Sequence, residues 1–154
     1  MSRRDQIRMS EKEISTFLDE CQTIIINSIG PDGVPHPMPM WFAVDDAGAV
    51  VMSTFSKSQK IHNLERDPRV SLLAEDGSEY AELRGVVIYG RAELLPDPER
   101  VTDILVRVTG RSTPVEDVQA LRQAVQGTAR KRTGIRVLPE KIVSWDHRKL
   151  GGVY

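Results

Sequence analysis

The segment Thr54–Lys60 concentrates hydroxyl and ammonium groups where the sequence changes from strand-like to helix-like. Ser56 and Gln59 have the spacing of a capping box, so we expect a helix to begin there. The start of a helix presents unpaired backbone N–H groups and a partial positive charge. Lys57 lies about one turn before Lys60, so both ammonium groups can approach one anion. These features predict a phosphate site.

Two further observations limit this prediction. The segment contains no glycine, which excludes a phosphate-binding loop of the Walker A type. An ordinary capped surface helix with solvated lysines has the same composition, and many such helix ends bind nothing. Composition alone therefore leaves a phosphate site and a plain surface helix equally open.

Flat and polarizable side chains precede this segment at Met38, Met40 and Trp41. Such groups can line a planar ring system. The alternative is ordinary barrel core, to which we assign Phe42 and Val44. Pro37 and Pro39 lack a backbone N–H, so we expect their strand at a sheet edge or at a mouth of the barrel.

The elements that must position these residues follow from hydrophobic periodicity and turn signals. Alternating or β-branched stretches predict six strands, over residues 23–29, 37–44, 49–54, 69–74, 80–95 and 134–145. The first three read as an antiparallel meander, and bulges are expected near Gly85 or Gly90 and at Leu138-Pro139. Capping signals predict helices over residues 10–20, over 56–66, after Asp97, and over 113–131.

This order of elements indicates a single domain over residues 1–154 that is mainly β with peripheral α-helices. Six strands joined mostly by tight turns predict a closed or nearly closed antiparallel barrel rather than a parallel α/β sheet. The predicted fold class is therefore a six-stranded antiparallel split β-barrel.

Composition excludes several function classes. A net charge of −1 with 28% charged residues gives no reason to expect nucleic-acid binding. No apolar run reaches the length of a membrane span, and no apolar stretch follows the basic N-terminus. The single cysteine, Cys21, cannot form an internal disulfide, so we expect a cytoplasmic protein. The histidines lack the spacing of a ligand set, and we assign no metal and no catalytic acid or base.

Several stretches resemble the pyridoxamine-phosphate-oxidase-like split-barrel superfamily. The most specific is Asn63–Val70, which reads Asn-Leu-Glu-Arg-Asp-Pro-Arg-Val. Weaker matches are Tyr80–Gly85, Gly90–Ala92 and Arg136–Ile142. Within the superfamily the chain is most similar to the branch that uses the deazaflavin coenzyme F420, whose reductases the closing stretch Ser144–Leu150 fits.

The resemblance implies a homodimer with two cofactor sites at the subunit interface. It implies that the cofactor phosphate is held by Lys60, Lys57, Ser56 and Thr54. Ser53, which precedes Thr54 in the same strand, is also an implied cofactor contact. It further implies that Met38 to Trp41 lie along the ring. The remaining implied cofactor contacts are Asn63, Tyr80 and Trp145.

The function that the resemblance implies is hydride transfer between reduced coenzyme F420 and a small or planar conjugated substrate. FMN is the alternative cofactor, and a cofactor carrier without turnover is the alternative function. Oxidation of vitamin B6 is not expected, because the chain lacks the C-terminal substrate-phosphate motif of the true oxidases. Arg91, Arg136 and Arg148 are candidates for attracting an anionic substrate or acidic tail, although solvated surface arginines are commoner.

Overall fold

Strands form where aliphatic side chains alternate between a buried and a more exposed face, as along Thr23–Ile29. The computed structural model describes residues 2–152. Its strands are β1 Thr23–Ile29, β2 Pro35–Trp41, β3 Ala43–Val44, β4 Val50–Phe55, β5 Arg69–Asp76, β6 Arg84–Leu95 and β7 Arg132–Asp146. Its α-helices are α1 Arg3–Gln6, α2 Glu11–Glu20, α3 Gln59–Arg66, α4 Pro98–Ser112 and α5 Val118–Ala129. Short 3-10 helices cover Tyr80–Glu82 and His147–Leu150.

The strands form one antiparallel sheet in the order β2-β1-β5-β6-β7-β4-β3. Its two edge strands, β2 and β3, are separated in sequence by Phe42 alone. Because consecutive Cα atoms are only about 3.8 Å apart, the two edges must approach each other at this residue. The sheet therefore curls into a split barrel, which confirms the predicted fold class.

The strand count differs from the predicted six because the expected strand over residues 37–44 divides at Phe42. Its first part, β2, pairs with β1, whereas its second part, β3, pairs with β4 at Ala43–Val51 and Val44–Val50. The predicted antiparallel pairings of this segment with its two neighbours are present, but the segment is not one continuous strand, since β2 and β3 lie at opposite edges of the sheet. The seventh strand arises because one chain segment contributes to both edges.

The main core fills the barrel interior with aliphatic side chains from the inner faces of the strands and with Phe17, Ile61 and Leu64 from the helices. A smaller cluster of Ala43, Val51, Leu95 and Ile104 packs α4 against the outside of the sheet. Burying one such large side chain stabilises a fold by about 1.5–3 kcal/mol. Among residues 2–152, no helix is long and apolar enough to cross a membrane.

Helix starts agree with the capping signals in two cases and differ in two. The Ser10 capping box opens α2, and Asp97 caps α4. In contrast, α3 begins at Gln59, and its cap, Ser58, makes no side-chain capping bond. The capping box predicted for Ser56 is therefore wrong.

The helix predicted over residues 113–131 begins later. Its start is Val118, capped by Asp117, because Thr113 already ends α4 as its C-terminal cap. The predicted bulge lies between the two longest strands: Tyr89 pairs with Lys141 but Gly90 pairs with Pro139, which leaves Glu140 without an opposite residue. This bulge bends β6 and β7 around the barrel.

Candidate anion and cofactor site

Two segments far apart in sequence meet at one end of the barrel. In the β4–β7 ladder, Thr54 lies opposite Thr133. The backbone N–H of Ser56 then donates to the Lys131 carbonyl at 3.1 Å, which ties the turn after β4 to the start of β7. Residues 130–133 therefore lie beside the predicted segment Thr54–Lys60.

Lys60 is a buried cation that has no acidic partner among residues 2–152. Its side chain is 7% exposed, and its Nζ donates to Thr54 Oγ1 at 3.0 Å. Burial lowers the pKa of Lys60, and the nearby charge of Arg132 lowers it further. Since an unpaired buried charge is costly, a bound anion would stabilise the arrangement.

Arg132 brings a second cation to the same place. Its Nη1 donates to the Ser53 carbonyl at 3.3 Å, and its guanidinium lies 4.5 Å from the centre of the Phe55 ring. Its Nε is buried and has no hydrogen-bond partner among the described residues. A buried N–H group without a partner costs about 1–3 kcal/mol. A bound anion would satisfy this donor.

We define the basic cluster as Lys57, Lys60, Arg130, Lys131 and Arg132. None of these cations forms an ion pair in the part of the chain that the structure describes. Lys57, Arg130 and Lys131 are exposed, and therefore surround the two more buried members with positive charge. Sequence reasoning missed the residues from 130 to 132, although three consecutive basic residues before a strand were a visible signal.

The hydroxyl groups around Lys60 bond mostly to one another. Thr54 Oγ1 accepts from Lys60 and lies 3.5 Å from Ser58 Oγ, to which it donates. Ser56 Oγ lies 2.9 Å from Thr133 Oγ1, and either can be the donor. The pairing of Ser56 with Thr133 therefore braces the turn against β7.

Asn63 lies one turn beyond Lys60 but within the packing of α3 on β1. It is 0% exposed, its Nδ2 donates to Ser28 Oγ at 2.9 Å, and its Oδ1 accepts from Gln59. These bonds orient α3 and hence Lys60. Contact between Asn63 and a cofactor stays a prediction.

The opening of the split lies beside the basic cluster. Because β3 pairs with β4 only at Val50 and Val51, the end of β4 has no strand partner on that side within residues 2–152. The outer edge of β2 is likewise unpaired, and its prolines leave few N–H groups there. The gap between β2 and the end of β4 is therefore the opening of the split, and it lies beside the basic cluster.

The three residues predicted to lie along a ring do not share one face of β2. Met38 and Met40 lie opposite Ile26 and Ile24, which face the core, and Met40 packs partly against that core. Trp41 lies on the outer face and is 60% exposed. The methionines therefore border the split from inside, whereas the indole faces outward.

Tyr80 and Trp145 lie at the opposite end of the molecule. The Tyr80 and His147 rings are 4.7 Å apart, and the Trp145 indole covers Gly85 so closely that a Cβ there would lie 2.2 Å from it. Along β7, Trp145 is 13 residues from Arg132, which corresponds to about 40 Å of extended strand. One chain therefore does not bring these aromatic residues to its own basic cluster.

Two of the arginines considered for substrate attraction are already paired. Arg136 Nε donates to Asp45 at 2.8 Å, and Arg148 donates to Asp146 through Nε at 2.9 Å and Nη2 at 2.7 Å. Arg91 is exposed on β6 and has no ion pair among the described residues. Unlike the cations of the basic cluster, Arg136 and Arg148 are therefore already engaged by carboxylates.

Comparison with known proteins gives both family and fold. The family model of pyridoxamine 5'-phosphate oxidase matches residues 10–146. No curated protein matches the chain. The crystal structure of the conserved hypothetical protein Rv2991 from Mycobacterium tuberculosis has 44% identity and a TM-score of 0.90, covering 100% of this chain and 95% of that one.

Two more distant structures share the fold alone. An F420 reductase has 23% identity and a TM-score of 0.62, covering 83% of this chain and 94% of that one. An FAD-binding protein from Mesorhizobium loti has 20% identity and a TM-score of 0.64, covering 88% and 94% respectively. Proteins with these names therefore use the same arrangement of strands.

Proposed function

The chain belongs to the pyridoxamine 5'-phosphate oxidase family, and on that premise we propose that it is an oxidoreductase that binds coenzyme F420. It transfers hydride between the reduced cofactor and a small or planar conjugated substrate. The observation that carries this proposal is the basic cluster at the opening of the split, with the buried ammonium of Lys60 and the Nε of Arg132, which has no partner within residues 2–152. FMN is the alternative cofactor.

The phosphate of the cofactor is assigned to Lys60 and Arg132. Both donors are charged, and the surrounding burial strengthens hydrogen bonds to an anion. The negative charge of the phosphate would also offset the repulsion between the two cations, which acts to lower the pKa of Lys60. This pair therefore gives the anion a fixed position at the end of β4.

The exposed members of the cluster favour F420 over FMN. Lys57, Arg130 and Lys131 extend the positive charge beyond the more buried pair, toward solvent. FMN ends at its phosphate and leaves these outer cations unused, whereas F420 continues into an acidic tail. The outer cations therefore support a ligand with a second anionic part.

The ring is assigned to the split, with Met38 and Met40 along its inner border. A bound flavin or deazaflavin supplies the hydride chemistry itself, and the protein orients it. The thioether side chains exclude water from one face and adapt to a flat ring. We assign no catalytic acid, since solvent can supply the proton.

We also propose a homodimer in which the partner completes the site. On the outer face of the sheet an apolar row crosses five strands through Pro39, Ile25, Leu73, Val87 and Val143. The members of this row are half-buried or exposed, although apolar. Covering the row would bury it, and the partner subunit's Tyr80 and Trp145 could then approach this chain's split.

Light scattering tests the dimer directly. We expect the wild-type mass to be twice 17.3 kDa and Leu73→Asp to produce a monomer, because a carboxylate in the middle of an apolar interface is costly. A wild-type protein that is monomeric at micromolar concentrations would overturn the homodimer.

Titration of the purified protein with F420 and separately with FMN tests the cofactor. We expect saturable quenching of F420 fluorescence and weaker binding of FMN. Tighter binding of FMN would support the alternative, and binding of neither would overturn the proposed function. Stopped-flow reoxidation of the reduced, bound cofactor by quinones or enones then tests turnover. Binding without reoxidation would indicate a carrier.

A further inference from the structure

Phe42 is the residue at which the chain leaves one sheet edge for the other. The β1–β2 ladder ends at Trp41, and the β3–β4 ladder begins at Ala43, so Phe42 belongs to neither. Its side chain is buried in the core. Its carbonyl therefore needs a partner from outside the sheet.

Arg111, in the last turn of α4, supplies that partner. Its Nη1 donates to the Phe42 carbonyl at 2.5 Å, and its guanidinium carbon lies 4.4 Å from the centre of the Phe42 ring. Its Nη2 donates to three carbonyls at the end of α2, those of Leu18, Asp19 and Cys21. One guanidinium thus joins α4, the end of α2 and the point where β2 and β3 separate.

These contacts differ from an ordinary surface ion pair. All four acceptors are backbone carbonyls, and no carboxylate among residues 2–152 forms an ion pair with Arg111. Carbonyls at the end of a helix lack intrahelical partners, so the guanidinium also satisfies groups that the fold leaves open. A lysine cannot make these bonds together, because it lacks the planar fork of donors.

We propose that Arg111 is a positioning residue that fixes the direction in which β2 separates from β3, and thereby the width of the split between β2 and the end of β4. The inference rests on the proposed function, since the split is where the cofactor ring is assigned. The basic cluster lies on or next to β4, α3 and β7, and Arg111 makes no hydrogen bond to these elements among the described residues. Its loss should therefore weaken binding of the ring without weakening binding of the phosphate.

Arg107 provides a matched control on the same helix, one turn earlier. It also donates to a backbone carbonyl, that of Val44, two residues after Phe42, at 3.3 Å, and pairs with the exposed Asp46. Among the described residues it makes no hydrogen bond to Phe42 or to α2. A general effect of losing an arginine from α4 should appear in both Arg107→Met and Arg111→Met.

The experiment compares Arg111→Met, Arg111→Lys and Arg107→Met with the wild type. We expect Arg111→Met to raise the Kd for F420 more than tenfold, with a smaller rise for Arg111→Lys and less than a twofold change for Arg107→Met. The increase in Tm produced by inorganic phosphate should be the same in all four proteins. The visible circular dichroism of bound F420 should change in the Arg111 variants only.

Hydrogen–deuterium exchange tests the positioning role without a cofactor. We expect faster exchange at residues 36–42 in the Arg111 variants and unchanged exchange in α3 and at the end of β4. Arg111→Lys keeps the charge and supplies the folded variant if Arg111→Met does not fold. Unchanged exchange in β2, or equal losses of F420 and phosphate binding, would overturn the inference. Failure of the wild type to bind F420 or FMN would overturn the proposed function instead, because the exchange result is independent of it.

Discussion

The two ends of β7 use arginine in opposite ways. At its start, Arg132 has a buried Nε without a partner and lies beside Lys60, which has no carboxylate within the described residues. Past its end, Arg148 makes a bidentate contact with Asp146, and the nearby Arg84 pairs with both Glu20 and Asp76. Arginine lies at both ends, but among the described residues only those near the end of β7 are paired with carboxylates.

This difference separates charges that hold the fold from charges that await a ligand. A paired arginine is satisfied within the chain, so removing it leaves a carboxylate without its partner and lowers stability. A buried cation without a partner already costs free energy, so removing it need not destabilise the protein. Stability and binding should therefore respond in opposite ways at the two ends.

The largest effect is expected from Lys60→Met. Loss of a charge-assisted hydrogen bond to the phosphate should weaken F420 binding by about 1.5–3 kcal/mol, or roughly 10- to 150-fold. The free energy of unfolding without cofactor should stay constant or rise, because a buried charge is removed. Fluorescence titration and urea unfolding measure the two quantities.

The control for Lys60→Met is Lys149→Met, since the Lys149 ammonium is paired with Glu13 at 2.8 Å. We expect that variant to lose about 0.5–1 kcal/mol of stability and to keep its affinity for F420. Equal affinities in Lys60→Met and the wild type would show that the buried lysine does not hold the phosphate.

Arg132→Met should have the next largest effect on binding. It removes the second charged donor, and we expect F420 affinity to fall about tenfold, which corresponds to the lower end of a charge-assisted bond. The matched variant Arg136→Met lies on the same strand but removes a partner of Asp45. Arg136→Met should lower stability and leave F420 affinity unchanged. Isothermal titration calorimetry of both variants measures the affinities, and a larger loss of affinity in Arg136→Met than in Arg132→Met would contradict the assignment.

The ion pair between Arg148 and Asp146, at the end of β7, should contribute to the pH dependence of the free energy of unfolding. Hydrogen bonds from the Arg148 side chain lower the pKa of Asp146, against the effect of burial. The resulting stabilisation is present above the unfolded pKa of about 4 and disappears as the pH falls through the lower folded pKa. Urea unfolding between pH 7 and pH 3 should show this loss, and Asp146→Asn should reduce the pH dependence while lowering stability at pH 7 by about 1–2 kcal/mol. An unchanged profile in that variant would contradict the assignment.

The smallest effect is expected from Lys57→Ala. This lysine is exposed, so its attraction for an anionic tail is screened, and we expect only a twofold to fivefold weakening, about 0.4–1 kcal/mol. The loss should diminish at high salt and should be absent when the ligand is FMN. An equal loss for both cofactors would place Lys57 at the phosphate rather than at the tail.

Much of the fold could be predicted from the sequence because local patterns coincide with packing. The Ser10 capping box, the alternation along β1 and the Asp97-Pro98 start of α4 all use nearby residues to satisfy backbone groups. Two predicted helix boundaries are wrong: Ser56 and Thr113 have the spacing of capping residues, but Ser56 pairs with Thr133 and Thr113 ends α4. Tertiary contacts decide between such alternatives.

Only part of the candidate site could be predicted from the sequence. Local spacing identified Thr54, Lys57 and Lys60, since they belong to one turn and one helix start. Arg132 was missed because its approach to Lys60 depends on the β4–β7 ladder, which joins residues about 80 positions apart. Conversely, Asn63, one turn after Lys60, was also expected to contact the cofactor. Its amide instead donates a hydrogen bond to Ser28 on β1.

The sequence by itself determined which segments become strands and helices, since periodicity and capping act between neighbouring residues. Only the tertiary structure decided which cations lack a carboxylate and where the barrel opens, because both depend on contacts between distant segments. The physical reason is that charge pairing and strand pairing are long-range, and a single residue such as Phe42 can direct one strand to both edges of a sheet.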